Sequence, residues 1–261
     1  MLGRMNLILI EPGEIREDGT VVFSGRRRDH LVEVLRASPG ERLRVGIVNG
    51  PLGRAEVIEA SQRRVVLRID ADGETLPRPE LDLILALPRP IALRRVLTQA
   101  AIMGVGRLFL INAARVEQGY FNASLLQPEQ YEPVLRHGLE QAADTRVPEV
   151  RIVPRFREFE REVLPGIVDD CRVGLLAHPE AAAGLAGVVR SPIAGRVALA
   201  IGPEGGWQDY EIEALQDRGL QPFSIGPRIL RVDTAVTALL AMIELLRQLR
   251  GQHMTGRPDR L

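Results

Sequence analysis

The stretch "LAIGPEGGWQDYEIEALQDRGLQPFSIGPRILRVDTA", Leu199 to Ala235, holds two glycine-proline turns, each directly after a short apolar run, with one helix-like segment between them. An apolar run of strand length, a tight turn, a helix and a second apolar run is the repeating unit of an α/β protein. In such folds the carboxyl ends of parallel strands carry the ligand sites, because the loops there are free to vary and helix N-termini point donors into the crevice. Neither turn carries the Gly-Lys-Ser/Thr of a phosphate loop, and the glycines do not fit the G-x-G-x-x-G spacing of a dinucleotide fold. Each turn alone has a plain reading as a tight strand-to-helix connection. Two of them side by side point to a pocket lined by backbone N–H and C=O groups, better suited to an adenine ring and a neutral or cationic ligand than to a triphosphate.

Upstream of this stretch the alternation continues. "ELDLILAL" (Glu80–Leu87) reads as a buried strand, "PIALRRVLTQAAIMG" (Pro90–Gly104) as a helix with Leu93, Val96, Leu97 and Ala100 on its inner face, and "RLFLIN" (Arg107–Asn112) as the next strand. "GVG" at Gly104–Gly106 ends that helix and is read as its stop. Helices are expected around Gln130–Ala143 and Phe156–Val163, and strands at Val150–Val153, Val173–Ala177, Val197–Ile201 and Pro222–Ile225. The segment Thr234–Leu249 is apolar on nearly all sides, as expected of a helix buried on more than one face, the second being a subunit interface.

Before Thr75 the pattern is different: "NLILI", "TVVFSG", "ERLRVGIVN", "GRAEVIEAS" and "RRVVLRID" alternate in the strand period, with one short helix at Asp29–Arg36. A small β-barrel is the expectation for residues 1–75. "GETLPRP" (Gly73–Pro79) is too rich in proline to continue a strand and reads as a linker, the α/β domain occupies 76–250, and 251–261 form a disordered tail.

Of the 261 residues 45% are hydrophobic, enough for a substantial core. The one cysteine, Cys171, can form no internal disulfide, and with four histidines it makes no zinc-ligand cluster, so no metal and a reducing cytoplasm are expected. No apolar run reaches membrane-spanning length and the opening "MLGRMNLILIEPGE" is too short in apolar residues for a signal peptide, so the chain reads as soluble and unprocessed. Net charge is zero, which provides no field to attract a polyanion nonspecifically, yet all 34 basic side chains are arginine. That bias is explained by genomic base composition before RNA contact, although the planar guanidinium does suit phosphate and base edges.

The paired motifs "LAIGPEGGW" and "IGPRILRVDTA" resemble the C-terminal signature of the RsmE family, the 16S ribosomal RNA uridine N3-methyltransferases of the SPOUT superfamily. "HLVEVLRASPGERLRV", "LTQAAIMGVGRL" and "LEQAADTRVPEV" are similar to further family segments, so the resemblance spans nearly the whole chain. It implies an α/β fold with an N-terminal PUA-like β-barrel for RNA binding, then a SPOUT domain with a C-terminal trefoil knot. It also implies S-adenosylmethionine as cofactor, 16S rRNA or the small ribosomal subunit as partner, and a homodimer. On this resemblance the cofactor lies against Leu176, Ala177, Ile201, Gly202, Pro203, Gly206, Ile225, Gly226 and Leu230, where small residues allow close backbone approach.

Methylation at uracil N3 requires loss of the imide proton and stabilisation of the developing anion. Arg231 is expected to orient or stabilise the uracil, and Asp233 to act as a base or to hold an arginine. Asp233-Thr234 also suits the N-cap of the last helix. Arg228 and the run Arg26-Arg27-Arg28 are the candidates for RNA contact, the run having a plain alternative as a solvated face. His178 reads as a locally satisfied strand-end residue, and Trp207 as a core anchor or a lid.

The chain departs from the family pattern at Asp233, where Glu is usual, at Ile102-Met103, where Glu-Leu precedes the Gly-Val, and at Asp144, where an Arg is expected. Three other functions stay open at this point: a SPOUT enzyme with another RNA target, a catalytically silent ribosome-assembly factor, and, against the missing fingerprint, a nucleotide-dependent oxidoreductase.

Overall fold

The computed structural model describes residues 7–189 and 193–254. The chain divides into two compact units, one of Met1–Arg78 with Leu135–Val147 and the other of Pro79–Val134 with Pro148–Leu261. The first unit therefore takes in Leu135–Val147, far beyond the linker, which the strand pattern of the N-terminal stretch gave no reason to include.

In the first unit, strands β1 (Ile8–Ile10), β2 (Thr20–Phe23), β3 (Arg42–Ile47), β4 (Leu52–Ala60) and β5 (Val65–Asp70) form one sheet in the order β1-β3-β4-β5-β2. Alternation drives it. Leu43, Val45, Ala55, Val57, Val65 and Leu67 point to one face and are buried with Phe23 and Leu31, while the polar residues between them face out. Among the described residues β1 and β2 are edges, so the small barrel expected here is a curled sheet, an open half-barrel. Helix α1 (Gly25–Asp29) starts four residues before the expected Asp29 and continues as one wide turn through Val34. Gly25, at φ 55°, lets the chain turn straight out of β2, and Arg36, at φ 51°, closes the helical stretch in the left-handed region. Arg26, Arg27 and Arg28 thus lie on a helix.

The second unit is a six-stranded parallel sheet in the order β11-β9-β10-β6-β7-β8, made by β6 (Leu81–Ala86), β7 (Arg107–Ile111), β8 (Glu149–Val153), β9 (Val173–Ala177), β10 (Val197–Ile201) and β11 (Gln221–Phe223). Strands β6 and β10 are buried on both faces, β10 as an unbroken apolar run and β6 with Asp82 as its one polar residue. Helices α2 (Pro90–Ile102), α3 (Pro128–Ala142), α4 (Phe156–Glu158), α5 (Leu164–Asp170), α6 (Leu185–Val188), α7 (Asp209–Asp217) and α8 (Val232–Met254) connect or follow the strands. A wide turn, Phe159–Val163, joins α4 to α5, so the helical stretch expected to stop at Val163 runs on to Asp170. Pro165 sits in the first turn of α5, where its missing N–H costs nothing. Two 3-10 turns, Gln118–Asn122 and Ser124–Leu126, fill the β7–α3 connection and have no sequence periodicity to announce them.

Helix α8 begins two residues before the expected Thr234 and includes 251–254 of the expected tail; residues 255–261 lie outside the described residues. Val236, Leu239, Leu240 and Ile243 of α8 are buried, while Met242, Leu245 and Leu249 are exposed. At the amino ends of the strands, the fully buried Asp82 accepts two hydrogen bonds from Arg107 (2.9 and 2.6 Å) and one from Arg196 (2.8 Å). The Arg107 bonds to Asp82, with a further one to Asp170 at 2.9 Å, hold its guanidinium above its ordinary pKa despite partial desolvation. The clamp fixes one end of the sheet and leaves the carboxyl ends for a site.

Candidate functional site

A cavity of about 630 Å³ opens at the carboxyl ends of β9, β10 and β11. Its walls are the three turns that follow those strands, because parallel neighbours with register Ile201↔Ala177 and Phe223↔Ala177 end side by side. Ala177, Ile201, Gly202, Pro203, Gly206, Ile225, Gly226 and Leu230, all expected at a cofactor, line it. Leu176 does not: it is fully buried within β9, one residue short of the turn. Strand β11 stops at Phe223, two residues before the expected Ile225, which frees Ser224–Gly226 to form the wall.

The glycines serve different purposes. Gly206, at φ 74°, closes the turn with its N–H donating to Pro203 O (2.8 Å). Gly226, at φ 132°, is open on the side where a Cβ would stand. At Gly202 a Cβ would meet the indole of Trp207, 3.0 Å from Nε1 and 3.1 Å from Cδ1, so the missing side chain makes room for Trp207 at a residue that also lines the cavity. Trp207 is buried and lines the cavity, combining the anchor and wall roles.

Two residues that the sequence reading passed over hold the Gly205–Trp207 turn in place. Glu211, in the first turn of α7, is fully buried; its carboxyl oxygens accept the N–H of Gln208 (2.8 Å) and, across the sheet end, that of Ala114 (2.7 Å). The adjacent Arg115 reaches back, donating from Nη1 to Gly205 O at 2.6 Å and Trp207 O at 3.4 Å. The Gln208-x-x-Glu211 half of this is a capping box and is legible in sequence; the Ala114 half joins residues 97 apart and is not.

The rim is rich in arginine. Arg228 and Arg231 line the cavity with Arg89 and Arg115, and Arg89 pairs with Glu204 at 3.5 Å in an exposed contact worth at most about 1 kcal/mol. Asp233 does not line the cavity. It stands behind the rim, in the first turn of α8 and not at its N-cap, with Oδ2 accepting from Arg95 at 3.2 Å and Oδ1 lying 3.7 Å from Arg231 Nε. Burial pushes the Asp233 carboxyl up, but the Arg95 hydrogen bond, the Arg231 charge and the Thr234 N–H together hold it below the ordinary aspartate value. Such a carboxylate holds arginines better than it accepts a proton.

Two cavity-lining side chains carry buried polar atoms without a partner, His178 Nδ1 and Trp207 Nε1. Buried polar atoms are nearly always hydrogen-bonded, so both are exceptions, and both atoms are closed off from the open cavity that their residues line. His178, expected to be satisfied locally, is not satisfied at this nitrogen. Among the described residues no group of side chains could hold a metal ion, and no helix is long and apolar enough to cross a membrane.

In the first unit, Arg26 is exposed, but Arg27 donates to Leu9 O (2.6 Å), pairs with Glu14 and lies 4.0 Å over the Phe23 ring. Arg28 donates to Ser61 O (3.0 Å) and to Asp29 (2.7 Å), with 13% of its side chain exposed. Ile102 is exposed at the end of α2, and Asp144 accepts the Arg146 N–H at 2.9 Å.

The family model for an RNA methyltransferase domain matches residues 74–244. The ribosomal RNA small subunit methyltransferase E of Treponema pallidum is 28% identical over 92% of this chain and 90% of that protein. The protein of the same name from Mycobacterium bovis is 28% identical over 86% of each chain. Among solved structures, the ribosomal RNA small subunit methyltransferase E of Neisseria gonorrhoeae, bound to S-adenosyl methionine, superposes with a TM-score of 0.72 at 22% identity, covering 93% of this chain and 98% of that one. That likeness establishes a shared fold.

Proposed function

The chain belongs to the RNA methyltransferase family, and we propose that it methylates N3 of a uridine in 16S ribosomal RNA with S-adenosylmethionine, acting on the assembled small subunit. The observation that carries the reading is the cavity walled by three strand-end turns, with arginines at its rim. The names of the relatives support ribosomal RNA of the small subunit as substrate.

The residues present fit the cofactor. A cavity of about 630 Å³ is of the size that takes a nucleoside-sized ligand. The Ile201–Gly206 and Ile225–Gly226 turns offer backbone groups to an adenine, and Glu204 and Asp209 place carboxylates toward a cationic ligand. When bound, S-adenosylmethionine supplies an electrophilic methyl group on a sulfonium.

The chain supplies orientation and charge. Arg231, three-quarters exposed at the rim, faces the incoming base and stabilises negative charge developing on the uracil imide. Asp233 orients Arg231 and Arg95, and its depressed pKa keeps it ionised through the neutral range, so it is assigned to holding arginines and not to taking the N3 proton. Arg228 contacts RNA beside it. The trefoil knot implied by the resemblance belongs to the same proposal. So does a cytoplasmic homodimer: Met242, Leu245 and Leu249 form an exposed apolar stripe on α8, suited to a second subunit.

The test is transfer of labelled methyl groups to small subunits lacking the modification, followed by mapping of the modified base. Methyl-N3-uridine in the unmodified protein's product, with cofactor affinity kept and turnover lost in Arg231→Ala, is the expected result. Cofactor and RNA binding without any transfer would favour the silent assembly factor; transfer to another base would favour a different RNA target.

A further inference from the structure

The outward face of the first unit's sheet carries arginines that the fold does not use. Strand alternation sends Leu43 and Val45, Ala55 and Val57, Val65 and Leu67 inward, and exposes Arg42 and Arg44 on β3, Arg54 on β4 and Arg68 on β5. The register sets Arg44 directly opposite Arg54, with Arg42, Glu56 and Arg68 in the next row. Neither Glu56 nor Asp70, which neighbours Arg54 in register, forms an ion pair with any of the four, and none of the four makes a side-chain hydrogen bond among the described residues. The row at Gly46 is covered, since a Cβ there would meet Thr145 and Leu7, but the arginine rows are bare.

Like charges directly opposite on an antiparallel pair destabilise a sheet. The Arg44–Arg54 pair is therefore a cost that an anion lying across both side chains would offset. Two residues along a strand are about 7 Å apart and facing residues about 5 Å, so four guanidinium groups stand over an area roughly 10 Å wide. Glu59, in register with the outward Val66, is neutralised by Arg64 at 2.8 Å, and the four remaining arginines against Glu56 and Asp70 leave this face net positive on a chain whose net charge is zero. Its other outward side chains include Ile58 and Val66 and no aromatic ring, so bases have nothing to stack on. Repeating phosphates fit this chemistry; unstacked bases do not.

We propose that this face, and not the Arg26–Arg28 run, docks the phosphodiester backbone of the substrate RNA, a proposal that rests on reading the chain as an RNA methyltransferase. Arg27 and Arg28 are tied to Glu14, Leu9 O, Ser61 O and Asp29, whereas Arg42, Arg44, Arg54 and Arg68 have every guanidinium donor available for phosphate oxygens.

The experiment uses the full chain, transcribed 16S ribosomal RNA as probe, and a series of salt concentrations. Each lost phosphate contact lowers the slope of log affinity against log salt by about 0.7 to 0.9, so replacing all four arginines by serine should flatten it by about 3. Arg44→Ser with Arg54→Ser should flatten it by about 1.6 without lowering the thermal midpoint, because a repulsive pair has been removed. Arg27→Ser with Arg28→Ser should change stability more than slope. An unchanged slope in the fourfold variant, while the unmodified protein binds RNA, overturns the docking face alone. An unmodified protein that binds S-adenosylmethionine but has no affinity for RNA overturns the functional reading beneath it. Competition by polyglutamate as strong as by RNA at equal charge would assign the face to an acidic protein partner and overturn the RNA assignment.

Discussion

Replacing Glu211 tests whether the walls of the cavity are held from behind by the pairing of the β7–α3 loop with the Gly205–Trp207 turn. Glu211→Ala removes two short charge-assisted hydrogen bonds, from Ala114 N–H at 2.7 Å and Gln208 N–H at 2.8 Å, and a longer one from the Tyr210 hydroxyl at 3.4 Å, at a fully buried side chain. Bonds of this kind contribute about 1.5 to 3 kcal/mol each, and water reaching the exposed Ala114 recovers part of that, so the net loss is about 2 to 4 kcal/mol. Glu211→Gln keeps one acceptor but turns an NH2 toward the other donor, and should lose about half as much. Arg115→Ala gives up two contacts to turn carbonyls at an exposed position, a loss of about 1 kcal/mol. The assay is urea unfolding followed by the fluorescence of Trp207, the only tryptophan and itself part of the turn, with cofactor titration alongside. Because both residues brace one turn, the double variant should be non-additive by more than about 0.5 kcal/mol, and cofactor affinity should fall in each single variant. Loss of less than about 1 kcal/mol in Glu211→Ala, with additive behaviour in the pair, would refute the bracing.

Gly202→Ala should weaken cofactor binding about tenfold by driving a methyl group against the Trp207 indole, and the fluorescence of Trp207 should shift in the free protein; an unchanged spectrum would show that the contact is absorbed elsewhere. Met242→Arg should yield a folded monomer by light scattering, since Met242 is exposed, whereas Leu239→Arg should fail to fold because Leu239 is buried in the core; a dimeric Met242→Arg variant would move the interface off α8.

The sequence by itself determined the class of fold and pointed to where a candidate site would lie. The unbroken apolar run Val197–Ile201, and Leu81–Ala86 with Asp82 as its one polar residue, suit strands covered on both faces, and glycine-proline turns after such runs mark the carboxyl ends of a parallel sheet, so local chemistry and chain order carried the fold class. Most of the lining was legible for the same reason, because Ala177, Ile201–Pro203 and Ile225–Gly226 are the residues at which those strands end. What tertiary structure decided is everything set by contacts between residues far apart in the chain. Glu211 meets Ala114 across 97 residues, Asp233 meets Arg95 across 138, and no periodicity encodes either pairing. The same holds for Gly202, whose packing against the Trp207 indole no periodicity encodes, and for the arginines of the first unit. Sequence shows that Arg26–Arg28 and Arg42, Arg44, Arg54 and Arg68 are all basic; strand register and the positions of Glu14, Leu9 and Ser61 decide which guanidinium groups are already bound and which face solvent unpaired, since a side chain's availability depends on what the fold brings beside it.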